Sequence, residues 1–282
     1  MFEIKALYYE FSSAHDLGLH QEIPTITFRG AFGYALAQVV AREACLPKLE
    51  SQVAVYRRFF MPQNDGSENS RNHDLARPFV IRGFYSRPDR RCFLLEILLF
   101  GKACEHETFF DRVVEVMSYM GIGKYKRICH FEKLNSRALE IPEMEVTDRL
   151  AVHFMTPCSR LKHDGRLYED HIPFNALMPR LVDRLIELDN LYGDRSFAAE
   201  WNIAEMKKNS CLIAGSVENG GKYAARRRSG RTKQEMSLSG FLGTMLYEGD
   251  FRPFLEPLRY LPYVNIGRFN VFGCGWCTLE FV

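Results

Sequence analysis

Apolar and polar positions recur along this chain in an order that is run through twice. Phe2–Phe11 (FEIKALYYEF) is rich in aromatic and branched residues and predicts a first strand. Phe28, Phe32, Ala35, Leu36 and Val39 then fall at helical spacing and predict a helix over Phe28–Ala44, with Thr27 as its N-cap. Gly30, Tyr34 and Gln38 lie on the opposite face of that helix. Met61–Leu75 has the composition of a loop. Phe79–Phe84 and Cys92–Gly101 predict two strands joined by the turn-rich SRPDRR. Phe109, Val113, Val116, Met117 and Met120 give one face of a helix over Glu105–Met120, which Gly121 ends. Lys124–Leu134 (KYKRICHFEKL) predicts a strand with a basic start.

After a connector, Asn135–Glu145, the pattern starts again. Arg149–Met155 predicts a strand and Phe174–Tyr192 a helix carrying Phe174, Leu177, Leu181, Leu185 and Leu188, with Pro179 marking a kink or a later start. Ser210–Lys233 is polar, glycine-rich and basic. Met236–Glu248 predicts a strand, Phe251–Leu261 a short helix and Trp276–Val282 a last strand. Each half therefore has the order strand–helix–strand–strand–helix–strand. The expected fold class is α+β, with two tandem ferredoxin-like (RRM-like, βαββαβ) domains over residues 1–140 and 141–282.

The chain has 282 residues and a formal net charge of +2, so any footprint for nucleic acid must be local rather than global. The longest apolar runs, such as Phe93–Phe100, contain a charge and are too short to span a bilayer. Glu3, Lys5 and Glu10 do not fit a secretory leader, so a cytoplasmic location without a membrane partner is expected. The eight cysteines are scattered and lie mostly within apolar runs, which fits buried small hydrophobes rather than a disulfide framework. Cys274-Gly-Trp-Cys277 is the one CxxC; it sits in a strand pattern with no helix behind it, and no second pair completes a zinc site.

Three stretches concentrate basic charge. Gly221–Lys233 holds Lys222, Arg226, Arg227, Arg228, Arg231 and Lys233 with no acid among them, suited to a phosphate backbone. Gly121–Arg127 (GIGKYKR) places two glycines before Lys124, Lys126 and Arg127. Asn265–Gly275 carries Gly267, Arg268, Gly273 and Gly275, a loop that lacks the Gly-Lys-Ser/Thr ending of a Walker loop and is followed by a strand pattern rather than a helix. Acid–base candidates cluster before and in the first helix: His15, His20 and Tyr34, with Arg29 beside them. His130 and His153 fall in apolar strand patterns and are expected in the core.

Phe28–Leu36 (FRGAFGYAL), Arg77–Arg82 (RPFVIR), Leu99–Lys102 (LFGK), Met120–Lys126, Pro157–Lys162 (PCSRLK), Met236–Gly243 (MSLSGFLG) and Val264–Gly275 occur in the order of the motifs of CRISPR repeat-processing endoribonucleases of the RAMP superfamily. The chain resembles that family over nearly its whole length. The resemblance implies tandem ferredoxin-like domains, a C-terminal glycine-rich loop and binding of repeat RNA. It also implies one cut in precursor crRNA by metal-independent attack of a 2′-hydroxyl, with no cofactor. Under it, His20 or His15 is the acid or base, Tyr34 assists, and Arg29 or Arg268 meets the phosphate. Asn265, Arg268 and Asn270 stand where the family's terminal loop often has histidine, lysine and threonine or serine, and Tyr34 stands where its first helix often has histidine. The alternative under the same resemblance is a catalytically inactive RNA-binding subunit of a CRISPR effector complex. The implied partners are the repeat RNA and other effector subunits; ferredoxin-like faces often pair, so a homodimer with a second copy of the chain stays open.

Overall fold

A computed structural model describes residues 2–20, 23–43, 75–224, 226–228 and 235–282. The chain divides into two compact units, Met1–Leu139 with Asn190–Asp194, and Glu140–Asp189 with Arg195–Val282.

In the first unit the order is β1 (Ile4–Ser12), α1 (Thr25–Glu43), β2 (Phe79–Tyr85), β3 (Cys92–Phe100), α2 (Glu107–Met120) and β4 (His130–Ala138). The strands form one antiparallel sheet in the order β2-β3-β1-β4. That order is the ferredoxin-like one. Tyr9 and Phe11 face the helices: Phe11 meets Phe28 of α1 edge to face at 5.1 Å, and Phe28 stacks on Phe93 at 4.4 Å. Phe32 and Phe79 both reach Phe110, at 5.8 and 5.6 Å. The core face of α2 is therefore set by Phe110, Val113, Val114 and Met117, while Phe109 is half-buried.

The second unit repeats the order with β5 (Arg149–Ser159), a small hairpin of β6 (Leu161–His163) and β7 (Arg166–Tyr168), and α3 (Phe174–Tyr192). Two short helices, α4 (Phe197–Glu200) and α5 (Ile203–Asn209), precede β8 (Ala214–Tyr223), β9 (Arg226–Arg228), β10 (Glu235–Ser237) and β11 (Gly240–Glu248). Then come α6 (Leu255–Val264) and β12 (Cys277–Phe281). The main sheet runs β12-β5-β11-β8, again antiparallel and again ferredoxin-like. Phe174 anchors this core, meeting Tyr247, Phe251 and Phe254 at 5.1–5.6 Å. Pro179 is accommodated inside α3.

Several local expectations are corrected. Helix α1 starts at Thr25, directly after Pro24, so Thr27 lies in its first turn and caps nothing. Lys124–Arg127 is a tight turn closed by paired Ile122 and Arg127 backbones, and β4 starts only at His130. His130 is exposed on that edge strand rather than buried. Ala214–Tyr223 is a strand although nearly all its side chains are exposed. Met236–Glu248 is two strands, β10 and β11, broken at Leu238–Ser239. No helix among the described residues is long and apolar enough to cross a membrane.

Candidate functional site

The chain leaves β1 as a loop that folds back on itself: the Asp16 carboxylate accepts the Gly18 N–H at 2.8 Å, and Gly18 takes φ +62°. Two turns then hold this loop. From the β2–β3 turn, Arg90 accepts the Leu17 N–H on its carbonyl at 3.1 Å. Its Nη2 donates to the Leu19 carbonyl at 3.2 Å and to the Tyr85 hydroxyl at 3.3 Å. The same hydroxyl accepts the Leu19 N–H at 3.3 Å. Both polar groups of Leu19 are thus held by one arginine–tyrosine pair. The Arg90 guanidinium carbon sits 4.8 Å from the Tyr85 ring centre. Burial pushes the Tyr85 hydroxyl above its ordinary pKa, which keeps it a neutral hydroxyl. Arg90 itself has φ +58°, a left-handed conformation uncommon outside glycine.

On the other side, the Gly121–Arg127 turn docks through the Lys124 N–H, which donates to the Gly18 carbonyl at 2.9 Å. Gly123, at φ +77°, lies against the loop so closely that a Cβ would run into the Leu17 carbonyl oxygen. The glycines that read as a helix stop are therefore also a docking surface. Together these segments form a cleft of about 490 Å³ lined by Asp16, Gly18, Leu19, His20, Arg90, Lys124 and Tyr125.

His20 is half-buried at its wall. Its N–H donates to Oγ1 of Thr27 in the first turn of α1 at 3.1 Å, and its Nδ1 accepts the Ile23 N–H at 3.3 Å. With Nδ1 accepting, the neutral imidazole carries its proton on Nε2. An imidazole, a guanidinium and an ammonium thus share one opening.

The remaining sequence candidates are distributed as follows. His15 is exposed and does not line the cleft. Neither do Arg29 and Tyr34; Tyr34 is 62% exposed and lies about 14 Å along α1 from Thr25. Lys126 is exposed at φ +51°, and the Arg127 guanidinium carbon is 5.4 Å from the Tyr125 ring centre. In the second unit Lys222 is paired with Glu169 at 2.7 Å. Arg226 is exposed on β9, which also carries Arg227 and Arg228. Arg231 and Lys233 lie outside the described residues. Arg90, Tyr85 and Tyr125 are the residues sequence reasoning missed. Their signal was the clustering of aromatic and basic residues at the two turns, FYSRPDRR and GKYKR.

The glycine-rich loop is built by its own packing. Gly267, at φ +91°, backs onto the end of β5, where a Cβ would sit 2.7 Å from the Ser159 carbonyl oxygen. The Arg268 N–H donates to that oxygen at 2.7 Å. Gly275, at φ +72°, leaves no room for a Cβ against the Ile266 carbonyl, and its N–H donates to Pro157 at 2.9 Å. Gly273 closes the 3-10 turn Asn270–Phe272 at φ +85°. Asn265 is fully buried and its Nδ2 donates to the Cys274 carbonyl at 3.1 Å. The Arg268 side chain is exposed, with its guanidinium carbon 5.9 Å from the Phe269 ring centre.

Elsewhere in this unit, His153 Nδ1 lies 3.0 Å from Thr244 Oγ1 and Nε2 lies 3.2 Å from Glu280 Oε1, so this histidine is a half-exposed member of a polar chain on the sheet rather than a core residue. Cys274 and Cys277 are buried, and burial pushes the neighbouring Cys158 thiol well up. Among the described residues no group of His, Cys, Asp and Glu is placed to hold a metal ion.

Residues 152–277 match the family model described as CRISPR-associated endoribonuclease Cas6, and residues 2–149 match a model described as an N-terminal domain. A solved structure of CRISPR endoribonuclease Cse3 bound to a 19-nucleotide RNA is 9% identical, covers 97% of this chain and 99% of its own, and superposes with a TM-score of 0.32. The CRISPR-associated protein Cas6e from Escherichia coli str. K-12 is 13% identical, covers 100% of both chains and superposes with a TM-score of 0.25. At these scores neither superposition transfers a residue. No curated protein matches the sequence.

Proposed function

From the match of residues 152–277 to the Cas6 endoribonuclease family model, we propose that the chain is a CRISPR repeat-processing endoribonuclease that binds repeat RNA and cuts precursor crRNA by metal-independent transesterification. The 2′-oxygen forms a bond to phosphorus as the bond from phosphorus to the 5′-oxygen breaks. One proton leaves the 2′-hydroxyl and one reaches the departing 5′-oxygen. The products are a 2′,3′-cyclic phosphate and a 5′-hydroxyl. RNA supplies the nucleophile, so the protein's task is in-line alignment, proton traffic and positive charge on the phosphorane.

The observation that carries this reading is the cleft that joins His20, Arg90 and Lys124. As the imidazolium, His20 is suited to giving a proton to the departing 5′-oxygen. Lys124 is exposed and offers its ammonium to the phosphate. Arg90 holds the peptide that leads into His20. In the second unit, Arg268 and Arg226 provide exposed charge for the RNA backbone. Within this proposal His20 acts without the assistance expected from Tyr34, because Tyr34 does not line the cleft.

The test is incubation of the protein with its neighbouring repeat RNA in EDTA, resolved on a denaturing gel. A single cut is expected, abolished by a 2′-deoxy sugar on the nucleotide upstream of the cut. Tight binding without a cut would replace the nuclease with an RNA-binding subunit; cleavage that needs added metal would overturn the mechanism.

A further inference from the structure

Tyr125 stands out at the mouth of the same cleft. The residue is 58% exposed, yet the turn that carries it is fixed at every side. Gly121 and Gly123 take φ +78° and +77°, and a Cβ at either would run into backbone. Lys126, which is not glycine, is held at φ +51°. The Ile122 and Arg127 backbones exchange hydrogen bonds of 2.8 and 2.9 Å, and the Lys124 N–H ties the turn to Gly18. The ring lies over Gly18, where a Cβ would come within 2.8 Å of its edge. Strained backbone kept in place by its surroundings is a mark of a functional segment. What this one displays is a bare aromatic ring.

Two cations flank that ring: Lys124 Nζ at 5.6 Å and the Arg127 guanidinium carbon at 5.4 Å from its centre. The Arg127 Nε is buried and has no hydrogen-bond partner among the described residues, and the same holds for Arg90 Nε across the cleft. An exposed aromatic ring beside cations, next to an imidazole, matches the chemistry of an unstacked nucleobase attached to phosphate. The base has a face for the ring, and the backbone has charge for the cations.

Resting on the endoribonuclease reading, we propose that Tyr125 is a stacking platform for one nucleobase next to the scissile phosphate, and that it fixes which phosphate reaches His20. A sequence-tolerant stack would set register without reading the base's edge, leaving identity to contacts elsewhere in the RNA.

The test is a cycle between protein and RNA. Single-turnover cleavage is measured for the wild type, Tyr125→Phe and Tyr125→Ala on the repeat RNA and on versions with an abasic site at each nucleotide flanking the cut. Tyr125→Phe should cut as the wild type does. Tyr125→Ala should lose roughly 5–150-fold, and one abasic position should cost the wild type a similar factor. Combining the two should cost no more than either alone. Losses that multiply at every position, or an alanine variant as fast as the wild type, would overturn the platform while leaving the nuclease standing. If the wild type fails to cut the unmodified repeat, the nuclease reading fails; the same cycle read in dissociation constants then tests the platform by the same non-additivity.

Discussion

Arg90 donates to the carbonyl of Leu19, the residue before His20, at 3.2 Å, and the Tyr85 hydroxyl that Arg90 also holds takes the Leu19 N–H. One planar guanidinium therefore fixes a peptide adjoining the proposed acid–base group. Lysine carries the same charge but not the planar guanidinium whose carbon sits 4.8 Å from the Tyr85 ring centre. Arg90→Lys is expected to lower the single-turnover cleavage rate by about tenfold or more, with the RNA dissociation constant changed less than about threefold. A rate loss matched by an equal affinity loss would make Arg90 a plain phosphate contact instead of a positioning residue.

His20 carries the chemistry of the cleft, so its loss should separate binding from cutting. His20→Ala is expected to reduce cleavage by about 10²–10⁴-fold while retaining RNA binding. His15→Ala, at an exposed position outside the cleft, should cost less than about tenfold. The opposite ranking in a gel assay of both variants would move the acid–base role to His15.

Helix α3 was legible to its ends, Phe174–Tyr192, because its apolar stripe is long and regular. The double ferredoxin-like order followed from such stripes as well. Strand β8 had no pattern to read, since both of its faces are largely exposed and only its pairing with β11 makes it a strand. The α2 stripe holds at Val113, Val116 and Met117, and only its first position shifts from Phe109 to Phe110, a choice that packing against Phe32 and Phe79 decides. His20 and Lys124 were each visible as chemistry-bearing residues. Their meeting was not, because the Lys124–Gly18 bond joins segments about a hundred residues apart. Arg90 was hidden for the same reason: SRPDRR announces a turn, not what the turn holds.

Acid should weaken the first unit through Glu107. Its carboxylate meets Lys133 at 2.6 Å and Lys5 at 3.4 Å, and the hydrogen bond from Lys133 above all lowers its pKa from 4.5 to about 2. The folded value lies below the unfolded one, so the ion pairs stabilise the fold above about pH 4.5 and lose that contribution as the pH falls toward 2. Glu107→Gln should cost about 1 kcal/mol at pH 7 in urea titrations, with the difference from the wild type shrinking below pH 4.5. A gap that is constant with pH would show that the loss is packing rather than charge.

Gly275 is required by space and by backbone conformation together, since φ is +72° and the Ile266 carbonyl occupies the place of a Cβ. Gly275→Ala is expected to destabilise the protein by about 2–4 kcal/mol, read as a lower urea midpoint with the slope unchanged. If the variant were as stable as the wild type, the glycine would have to be explained by a ligand's approach, and RNA affinity would then be the quantity to fall.

Arg268 offers the contrast within the same loop. Its N–H belongs to the structure, through Ser159, but its guanidinium is exposed and spends nothing on the fold. Arg268→Ala should therefore leave the urea midpoint within about 0.5 kcal/mol of the wild type. RNA binding should weaken, and the slope of log affinity against log salt should become shallower by about 0.7 if a single phosphate contact to single-stranded RNA is lost. An unchanged slope with unchanged affinity would remove the glycine-rich loop from the RNA path and leave the cleft at His20 and the basic strand β9 as the surfaces that hold the substrate.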